Sequence, residues 1–474
     1  MKILFAASEA APYIKSGGLG DVIGSLPVAL AEQGCEVSCI IPLYDAIGPE
    51  LRARLTFVTS MYVPLSWRNQ YCGVFKLEER GVTWYFIDNE YYFKRGSLYG
   101  SYDDCERFSF FSQAVLATVG VLELAPDIIH CHDWQTACIP VYLRTLHGDD
   151  PACQAIKTVF TIHNIEYQGI FGREVMENVL GLPYALFDEG AMRHNDAVNL
   201  MKSAILFADR VTTVSPTYAQ EILTPEYGHG LDSVLRMEQG KLCGILNGID
   251  VSVSPENDPR IVKNYSVKTL RDKKANTDAA RELMNLPLRD DVPLIVMITR
   301  LVQHKGLDLV CEVLDQLLEQ EVQMIVLGSG EWQYEQFLRD KAWQYPTKLA
   351  VYIGFHAELA QKLYAAADLF LMPSKSEPCG LAQMIAMHYG AVPVVRETGG
   401  LRDTVSPYNQ YTGEGLGFTF RNYHAPDMLH VLGEACALWH DRGIWEPMMK
   451  RDMQADFSWK HSAGEYRALY QNLL

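Results

Sequence analysis

The segment KILFAASEAAPYIKSGGLGDVIGSLPVALAEQG (residues 2–34) decides the fold class. It begins with a short apolar run and turns at a pair of glycines. It then continues as a pattern in which Val22, Ile23 and Leu26 share one helical face. An apolar strand, a glycine corner and an amphipathic helix together predict a βα unit. A second apolar run, EVSCIIPL (residues 36–43), follows as the next strand.

The same alternation of apolar run, polar corner and helical pattern recurs along the rest of the chain. The first half contains three more apolar runs: DIIHCH (127–132), TVFTIHN (158–164) and RVTTVS (210–215). After a polar stretch around residues 255–290 come five others: PLIVMITR (293–300), VQMIVLGSG (322–330), AVYIGF (350–355), LFLMPS (369–374) and VPVVRE (392–397). Unbroken apolar strands that alternate with helices predict parallel sheets covered on both faces. Two such sets predict two doubly wound α/β domains that divide near Asn247 and Gly248.

Length and composition limit the possible partners. A chain of 474 residues exceeds what one hydrophobic core usually organises, which also favours two domains. The hydrophobic share of 48% and the charged share of 21% are typical of globular proteins. The formal net charge of −17 argues against a nucleic-acid partner or an anionic membrane surface, because either would need a basic face. A small anionic ligand would need only a few local lysines and arginines.

The N-terminal run and the cysteines bear on localisation. The run MKILFAAS is too short to span a membrane, and because it leads straight into the glycine corner we interpret it as a strand rather than a signal peptide. Eleven cysteines without a C-x-x-C pair favour reduced thiols in a cytoplasmic protein. His130 and His132 flank one cysteine with a spacing that matches no common zinc site, so a buried strand is the favoured interpretation.

The unusual polar residues follow predicted strands. Ligands of doubly wound domains bind beyond the carboxyl ends of the strands, so two such domains predict a site in a cleft between them. The residues placed at these ends are Lys15, Asp133, His163, Arg300, Lys305 and the segment SEPCGL (376–381). Their common placement predicts one ligand site.

The corner KSGGLGDV (residues 15–22) has two interpretations. Gly17 and Gly18 allow a ligand to approach the backbone, the following helix offers unpaired N–H groups, and Lys15 adds a positive charge. Together these groups can hold a diphosphate without a metal ion. The alternative is a plain βα turn with a solvated lysine.

Two cations and a carboxylate follow strands of the second set. Arg300 ends a predicted strand and Lys305 opens the next predicted helix, where cations oppose the helix dipole at a cost of about 0.3–1 kcal/mol. A bound phosphate would compensate that cost; alternatively, both cations point to water or pair with acids. Glu377 precedes a helix predicted to start near Gly380. It can accept hydrogen bonds from sugar hydroxyls, or it can cap its own helix.

His163 and Asp133 end strands of the first set. His163 has the alternative interpretation of a satisfied core histidine, whereas Asp133, beside Trp134, suits a carboxylate that binds a sugar. The chain contains no Asp-x-Asp, P-loop, H-E-x-x-H or G-x-S-x-G motif. That absence disfavours a metal-dependent transferase, an NTPase and a serine hydrolase.

These motifs occur together, in order, across the whole chain. The chain resembles the bacterial glycogen synthases and the starch synthases, which are retaining glucosyltransferases. The stretches that carry the resemblance are KSGGLGDV, HCHDWQTA, TIHNIEYQG, LMKSAILFADRVTTVSPTYAQEI, YGHGLDSVLR, GILNGID, TRLVQHKG, PSKSEPCGLAQM, VVRETGGLRDTV and FSWKHSAGEY. One such motif would be weak support, but the ordered set is specific.

The resemblance implies an α/β architecture of the GT-B type, with two doubly wound Rossmann-like domains facing across a deep cleft. Residues 1–246 would form the N-terminal, acceptor-side domain. Residues 247–456 would form the C-terminal domain that binds the nucleotide sugar. Residues 457–474 would form a last helix that crosses back to the N-terminal domain.

The resemblance also implies which residues bind the nucleotide. Lys15, Gly17 and Gly18 would contact the diphosphate of the donor, and Asp21 of the same corner would also bind the donor. From the second domain, the cations Arg300 and Lys305 would neutralise the leaving diphosphate, and Phe355 would lie over the nucleobase.

A second group of residues would bind the donor glucose. Glu377 would hold its 3- and 4-hydroxyls, with the backbone of Cys379, Gly380 and Leu381 nearby. His163 would bind the 6-hydroxyl, and Asp133 and Asn247 would also line the glucose site. The resemblance implies no cofactor and no metal ion.

Several positions depart from the family pattern. Ser376 replaces a usual Phe, Ala382 a usual Thr, and Gln135 a usual His. In the hinge after NGID, Ser254 replaces a usual Trp or a usual acidic or amide residue. Ile385 stands where many other retaining GT-B enzymes have a second glutamate, which the starch-synthase branch generally lacks. None of these changes removes a charged group of the expected site. They bear on donor affinity rather than on reaction type.

The implied reaction transfers α-D-glucose from ADP-glucose to the 4-hydroxyl at the non-reducing end of an α-1,4-glucan, such as glycogen or a maltodextrin. The anomeric configuration would be retained, and neither a nucleic acid nor a membrane would take part. Two alternatives stay open. The first is the same reaction with UDP-glucose, and the second is a non-catalytic glucan-binding protein on this scaffold.

Overall fold

The computed structural model describes residues 1–474, which divide into two compact units. Unit 1 comprises Met1–Gly248 together with Trp459–Leu474, and unit 2 comprises Ile249–Ser458. Each unit is built around its own sheet.

Unit 1 contains twelve strands. They are β1 (Lys2–Ala6), β2 (Glu36–Pro42), β3 (Thr56–Leu65), β4 (Arg68–Glu79), β5 (Val82–Asp88), β6 (Ile128–His132), β7 (Lys157–Ile162), β8 (Ile170–Phe171), β9 (Arg193–His194), β10 (Ala197–Asn199), β11 (Arg210–Thr213) and β12 (Leu242–Gly244). Nine of them form one sheet in the order β12-β11-β7-β6-β1-β2-β5-β4-β3, and β8-β10-β9 form a small second sheet.

The large sheet is parallel from β12 to β5, as the continuous apolar runs predict. The last two strands of that order, β4 and β3, are antiparallel and form a hairpin at the edge. The sequence prediction of wholly parallel sheets is wrong at this edge. Strand β3 alternates exposed and less exposed side chains, the pattern of a sheet with one solvated face rather than of a buried parallel strand.

The helices of unit 1 are mostly short. In chain order they are α1 (Gly18–Glu32), α2 (Pro49–Arg52), α3 (Glu90–Phe93), α4 (Asp104–Val121), α5 (Cys138–Arg144), α6 (Pro151–Ala155), α7 (Ala185–Asp188), α8 (Leu200–Phe207), α9 (Pro216–Glu221) and α10 (Asp232–Met237). Single 3₁₀ turns lie at Trp134–Thr136 and Gln239–Lys241, and a π-helical turn lies at Met176–Leu180.

Unit 2 contains a single sheet of six parallel strands, in the order β15-β14-β13-β16-β17-β18. The strands are β13 (Leu294–Ile298), β14 (Gln323–Gly328), β15 (Leu349–Ile353), β16 (Leu369–Met372), β17 (Val392–Arg396) and β18 (Phe418–Phe420). The helices are α11 (Lys273–Leu283), α12 (Leu307–Glu319), α13 (Trp332–Gln344), α14 (Ala357–Ala366), α15 (Ala382–His388), α16 (Gly399–Thr404), α17 (Ala425–Trp439) and α18 (Arg442–Gln454).

The core of unit 2 lies between this sheet and its helices. Strand β13 is almost fully buried, and α12 directs Val310, Leu314 and Leu317 into the same cluster. These residues recur at intervals of three and four, as an amphipathic helix requires. Trp445 of α18 completes the cluster with no exposed surface.

The last helix, α19 (Trp459–Gln471), belongs to unit 1 and packs against α1. The Nε2 of Gln33 donates to the carbonyl of Lys460 over 2.8 Å. At the other end of α19, the buried Tyr470 hydroxyl lies 2.7 Å from Nδ1 of His130 in β6. The final helix is therefore anchored to the first sheet of the chain.

All eleven cysteines are free thiols. No helix of the chain combines the length and the apolar character that a membrane crossing requires.

Candidate active site

In both units the strand order reverses between two neighbouring strands, and such a reversal leaves a crevice beyond their carboxyl ends. In unit 1 the reversal lies between β1 and β6, and in unit 2 it lies between β13 and β16. Residues 7–17 follow β1, and Asp133 follows β6. Arg300 follows β13, and residues 373–381 follow β16. Lys15, Asp133, Arg300 and Glu377 thus lie at the switch points of the two sheets, whereas His163 and Phe355 follow the neighbouring strand β7 and the edge strand β15.

Lys15 lies in the exposed corner between β1 and α1. Its Nζ is 2.8 Å from Oδ1 of Asp21, and the two side chains are 49% and 39% exposed. Gly17 caps α1 without a side-chain hydrogen bond, so the first N–H groups of the helix receive no partner from the cap. A Cβ atom on Gly17 or Gly18 would meet no protein atom within 4 Å. An exposed cation and open space at a helix N-terminus form a geometry that suits an anion.

Glu9 fixes the backbone of the corner between β1 and α1. It is buried just beyond β1, and its Oε2 accepts a short hydrogen bond from the backbone N–H of Ser16. Burial raises the pKa of Glu9, and the hydrogen bond from Ser16 opposes that rise. Gly20 lets the corner pack onto α1, because a Cβ there would lie only 2.4 Å from Cβ of Lys15. The backbone of the corner is therefore fixed by its neighbours, while the Lys15 side chain is exposed.

Asp133 links the ends of β6 and β7. Its backbone φ of +55° is uncommon for a residue other than glycine, and such conformations cluster at functional sites. Its Oδ1 accepts the backbone N–H of His163 over 2.7 Å. Burial raises the pKa of Asp133 to about 7, although hydrogen bonds from the backbone of His163 and Asn164 lower it. The Asp133 carboxyl group therefore titrates near neutral pH.

His163 lies partly buried beyond β7. Its Nε2 is 2.9 Å from Nδ1 of His132, which lies at the end of β6. Burial lowers the pKa of His163 to about 3, so the ring is neutral at pH 7. A neutral imidazole has one donor and one acceptor nitrogen. Because His132 occupies Nε2, Nδ1 is the nitrogen with which His163 can meet a ligand.

Two buried amide side chains in unit 1 carry an oxygen without a hydrogen-bond partner. They are Asn247, whose Oδ1 is unpaired, and Gln135, whose Oε1 is unpaired. Leaving a buried acceptor unpaired costs about 1–3 kcal/mol. Such atoms are suited to accept hydrogen bonds from ligand hydroxyls.

In unit 2, Lys305 and Glu377 form an ion pair. The Nζ of Lys305 is 2.7 Å from Oε2 of Glu377, and the two side chains are only 16% and 9% exposed. The same carboxylate oxygen accepts a hydrogen bond of 2.9 Å from Oγ of Ser374. Glu377 therefore bonds to a cation and a hydroxyl and does not cap its own helix.

The expectation that Lys305 opens a helix is wrong. Gln303–Lys305 form a 3₁₀ turn, and α12 begins only at Leu307. Gly306 makes the turn possible: its φ is +82°, and a Cβ there would lie 2.3 Å from the carbonyl oxygen of Pro373. This close approach to the end of β16 places Lys305 beside Glu377.

The helix expected near Gly380 begins at Ala382, the first residue of α15. The preceding turn, which includes Cys379, Gly380 and Leu381, is held by the buried side chain of Gln383. Its Nε2 donates to the carbonyl of Cys379 over 3.1 Å and to that of Gly380 over 2.8 Å. The backbone of this turn is therefore fixed next to Glu377.

Arg300 and Phe355 are both exposed. Arg300 lies two residues beyond the end of β13, and Phe355 lies two residues beyond the end of β15. The Phe355 side chain is 86% exposed, so it contributes little to the core of unit 2. An exposed aromatic ring at a strand end is suited to stack on a flat apolar ligand group.

Comparison with known proteins matches both halves of the chain. Residues 2–237 match the family described as starch synthase catalytic domain, and residues 279–427 match the family described as glycosyl transferases group 1. Glycogen synthase of Desulforamulus reducens is 49% identical over 100% of this chain and 99% of its own length. Glycogen synthase of Bacillus cereus (strain Q1) is 50% identical over the full length of both. The chain belongs to the glycogen synthase and starch synthase family.

Solved structures support the same assignment for this family member. The catalytic domain of starch synthase IV from Arabidopsis thaliana, bound to ADP and acarbose, superposes with a TM-score of 0.92 at 35% identity, over 99% of this chain and 98% of that one. Sucrose-phosphate synthase from Thermosynechococcus elongatus shares the fold, with a TM-score of 0.61 at 18% identity, over 100% of this chain and 98% of its own. This member of the family is thus a glycosyltransferase of the GT-B fold, as the sequence motifs predict.

The structure joins some of the predicted residues of this synthase-family chain directly. In unit 1 it pairs Lys15 with Asp21, and Asp133 with the backbone of His163. In unit 2 it pairs Lys305 with Glu377. Pairing of the cations with acids is the alternative that the sequence left open for Lys305. The roles of all these residues in ligand binding stay predictions.

Four supporting residues escaped the sequence interpretation. They are Glu9, His132, Ser374 and Gln383. A polar side chain within three residues of a strand end was a signal for Glu9 after β1 and for Ser374 after β16. His132 drew attention only as a metal ligand, and no group of three or more His, Cys, Asp or Glu side chains in the chain could hold a metal ion. Gln383 lies within a helix and carried no signal.

Proposed function

We propose that this chain is a glycogen synthase. It transfers α-D-glucose from ADP-glucose to the non-reducing-end 4-hydroxyl of an α-1,4-glucan, with retention of configuration. The names of the curated relatives support the reaction, and ADP in the starch synthase IV structure supports the donor. The observation that carries the proposal is a lysine–carboxylate pair at the switch point of each sheet.

In this proposal exposed cations bind the diphosphate of the donor. Lys15, beside the open Gly17 and Gly18, exchanges Asp21 for a phosphate oxygen. Its pair with Asp21 is exposed, and exposed pairs contribute only about 0–1 kcal/mol, so a doubly charged ligand can displace it. Arg300 is exposed beyond β13 and adds a guanidinium that can meet phosphate with two parallel hydrogen bonds.

The glucose of the donor is bound by the more buried groups. Glu377, held by Lys305 and Ser374, accepts hydrogen bonds from the 3- and 4-hydroxyls. His163 meets the 6-hydroxyl through Nδ1, and the unpaired oxygen of Asn247 accepts another hydroxyl. Asp133, the turn of residues 379–381 and Phe355 complete the donor site, with Phe355 against the base. Residues 1–246 serve the acceptor and residues 247–456 the nucleotide sugar.

The transition state of this transfer carries positive charge near C1 and negative charge on the leaving diphosphate. Lys15, Arg300 and Lys305 stabilise that negative charge. The proposal assigns the carboxylates of Glu377 and Asp133 to binding of the donor glucose and gives neither the role of a covalent nucleophile. The departing phosphate then accepts the proton of the acceptor hydroxyl, and transfer occurs on the face that the phosphate leaves.

The test is incorporation of labelled glucose into glycogen. Wild-type protein is incubated with glycogen and either ADP-[¹⁴C]glucose or UDP-[¹⁴C]glucose, and the precipitated glucan is counted and digested with an α-1,4-specific amylase. We expect faster incorporation from ADP-glucose, with all label released by the amylase. Faster incorporation from UDP-glucose would overturn the donor assignment, and amylase-resistant label would overturn retention. Glycogen binding without incorporation from either donor would identify a non-catalytic binding protein.

A further inference from the structure

Three histidines form a buried layer under the switch point of unit 1. His130 and His132 lie two residues apart on β6 and therefore on the same face, with ring centroids 4.1 Å apart. His132 also stacks on Phe5 of β1, at 5.6 Å. His163, the third member, reaches His132 from the end of β7. The proposed sugar contact thus rests directly on a second histidine.

The hydrogen bonds of this layer divide into two separate sets. His130 uses both ring nitrogens away from His163: Nδ1 bonds to the Tyr470 hydroxyl, and Nε2 lies 2.6 Å from Oγ1 of Thr161. His132 uses only Nδ1, which bonds to Nε2 of His163 over 2.9 Å. Its own Nε2 is buried and has no partner. The only polar contact of the His132 ring is therefore with His163.

The protonation of the two rings follows from these contacts. Burial lowers the pKa of His130, His132 and His163, so each ring carries a single proton at neutral pH. If His132 carried it on Nε2, a buried N–H would lack an acceptor. If the proton is on Nδ1, Nε2 presents only an unpaired acceptor lone pair. Buried N–H groups without a partner are rarer in proteins than buried acceptors without one, so the proton is placed on Nδ1. His132 then donates to Nε2 of His163.

We propose that His132 is a positioning residue that fixes the tautomer of His163, so that His163 presents Nδ1–H as a hydrogen-bond donor to a sugar hydroxyl oxygen. The proposal rests on the proposed function, in which His163 contacts the donor glucose. Without the His132 donor, Nε2 of His163 can itself take the proton, and Nδ1 then presents a lone pair. The ring would also lose the contact that sets its orientation.

The tautomer is tested directly by ¹⁵N NMR on protein labelled at histidine. The His163 signals are assigned by their loss in His163→Gln. In wild type we expect Nδ1 of His163 to carry the proton. His132→Phe keeps the ring volume but removes the donor, and should move the His163 proton toward Nε2. His132→Asn keeps an N–H near the Nδ1 position and should restore the wild-type pattern. Unchanged His163 signals in His132→Phe would overturn the proposal.

Tyr470→Phe is the matched control. It removes a hydroxyl from the same histidine layer, but that hydroxyl bonds to His130 and not to His163. We expect the His163 signals of this variant to match those of wild type. A shift as large as that in His132→Phe would mean that any disturbance of the layer moves the proton, which would overturn the specific role of His132.

Kinetics separate a positioning role from a merely structural one. His132→Phe should lower kcat/KM for ADP-glucose about 10-fold, as expected for loss of one buried hydrogen bond. With ADP-6-deoxyglucose, which lacks the hydroxyl assigned to His163, the same variant should lose less than about twofold. An equal loss with both donors would overturn the positioning role. If His163→Gln loses kcat/KM equally with both donors, His163 does not contact the 6-hydroxyl and that part of the proposed function is wrong. The NMR experiment tests the tautomer of His163 independently of that outcome.

Discussion

The two lysine–carboxylate pairs differ in their surroundings. Lys15 and Asp21 in unit 1 are both exposed, and water solvates each when the pair opens. Lys305 and Glu377 in unit 2 are almost buried, and Ser374 adds a further hydrogen bond to the carboxylate. Exposed pairs contribute little to stability, whereas removing one partner of a buried pair leaves a charge without compensation. Lys15 can therefore leave its partner for a ligand, whereas Lys305 stays paired with Glu377 and meets a ligand with its remaining N–H groups.

Removing Lys305 should have the largest effect. Lys305→Ala leaves Glu377 buried without its cation, which we expect to cost about 3 kcal/mol of unfolding free energy in urea titrations. It also removes a charge from the leaving diphosphate, so kcat should fall by roughly 100- to 1000-fold. Lys341→Ala is the control. Lys341 is as little exposed as Lys305, but its partner Asp315 is half exposed, so removing Lys341 should leave no buried charge and cost less stability.

A double variant separates the two effects of Lys305. Adding Glu377→Gln to Lys305→Ala removes the uncompensated charge, so most of the lost stability should return while glucose transfer stays low. If the double variant is as unstable as Lys305→Ala, burial of the Glu377 charge is not the cause.

Removing Lys15 should affect catalysis alone. We expect Lys15→Ala to lower kcat by roughly 100- to 1000-fold, because an oxyanion donor is lost. The unfolding free energy should change by less than about 1 kcal/mol, since the pair with Asp21 is exposed. Lys76→Ala, which breaks the exposed pair of Lys76 with Glu78 in the same unit, should change neither. Normal transfer rates in Lys15→Ala would show that Lys15 does not bind the diphosphate.

Asp133 is a carboxylate in unit 1 that, unlike Glu377, has no cation. Its pKa in the folded protein is raised to about 7 from 3.8, so between these values the folded state holds a proton that the unfolded state has lost. Wild-type protein therefore loses stability as pH rises from 4 to 7, relative to Asp133→Asn, and the difference is constant above pH 7. We expect the stability gap between variant and wild type to grow by about 3 kcal/mol from pH 5 to pH 8. Parallel stability curves would show that the carboxyl group titrates normally.

The glycines of the two corners should respond differently to alanine. Gly17 has an extended backbone and open space, so Gly17→Ala should leave stability within about 0.5 kcal/mol. If phosphate approaches this backbone, the same variant should raise KM for ADP-glucose several-fold. Gly306→Ala, with its positive φ and a carbonyl at 2.3 Å, should be strongly destabilised. An unchanged KM in Gly17→Ala would place the phosphate elsewhere.

The sequence predicts much of the fold because parallel βα units carry strong local signals. The run 293–300 contains β13, and the helical pattern after it contains α12, with the helix start misplaced by two residues. That error arises because Gly306 and Pro373, which fix the turn, are far apart in the chain. The hairpin of β3 and β4 was missed because its outer face is solvated and gives no continuous apolar run.

The candidate site was predictable in its residues but not in its contacts. Polar residues after apolar strands mark the switch points, and the sequence contains that information. The partner of Lys305 lies 72 residues away, and that of His163 lies 31 residues away. Whether such side chains meet depends on strand order and on the depth at which each lies. Those quantities emerge only when the sheet is assembled.

A crystal structure of the protein with ADP-glucose or ADP tests most directly whether Lys15 binds the diphosphate of the donor. We expect Nζ of Lys15 to leave Asp21 and to lie within about 3.2 Å of a phosphate oxygen. A nucleotide bound elsewhere, with Lys15 still paired to Asp21, would contradict this expectation.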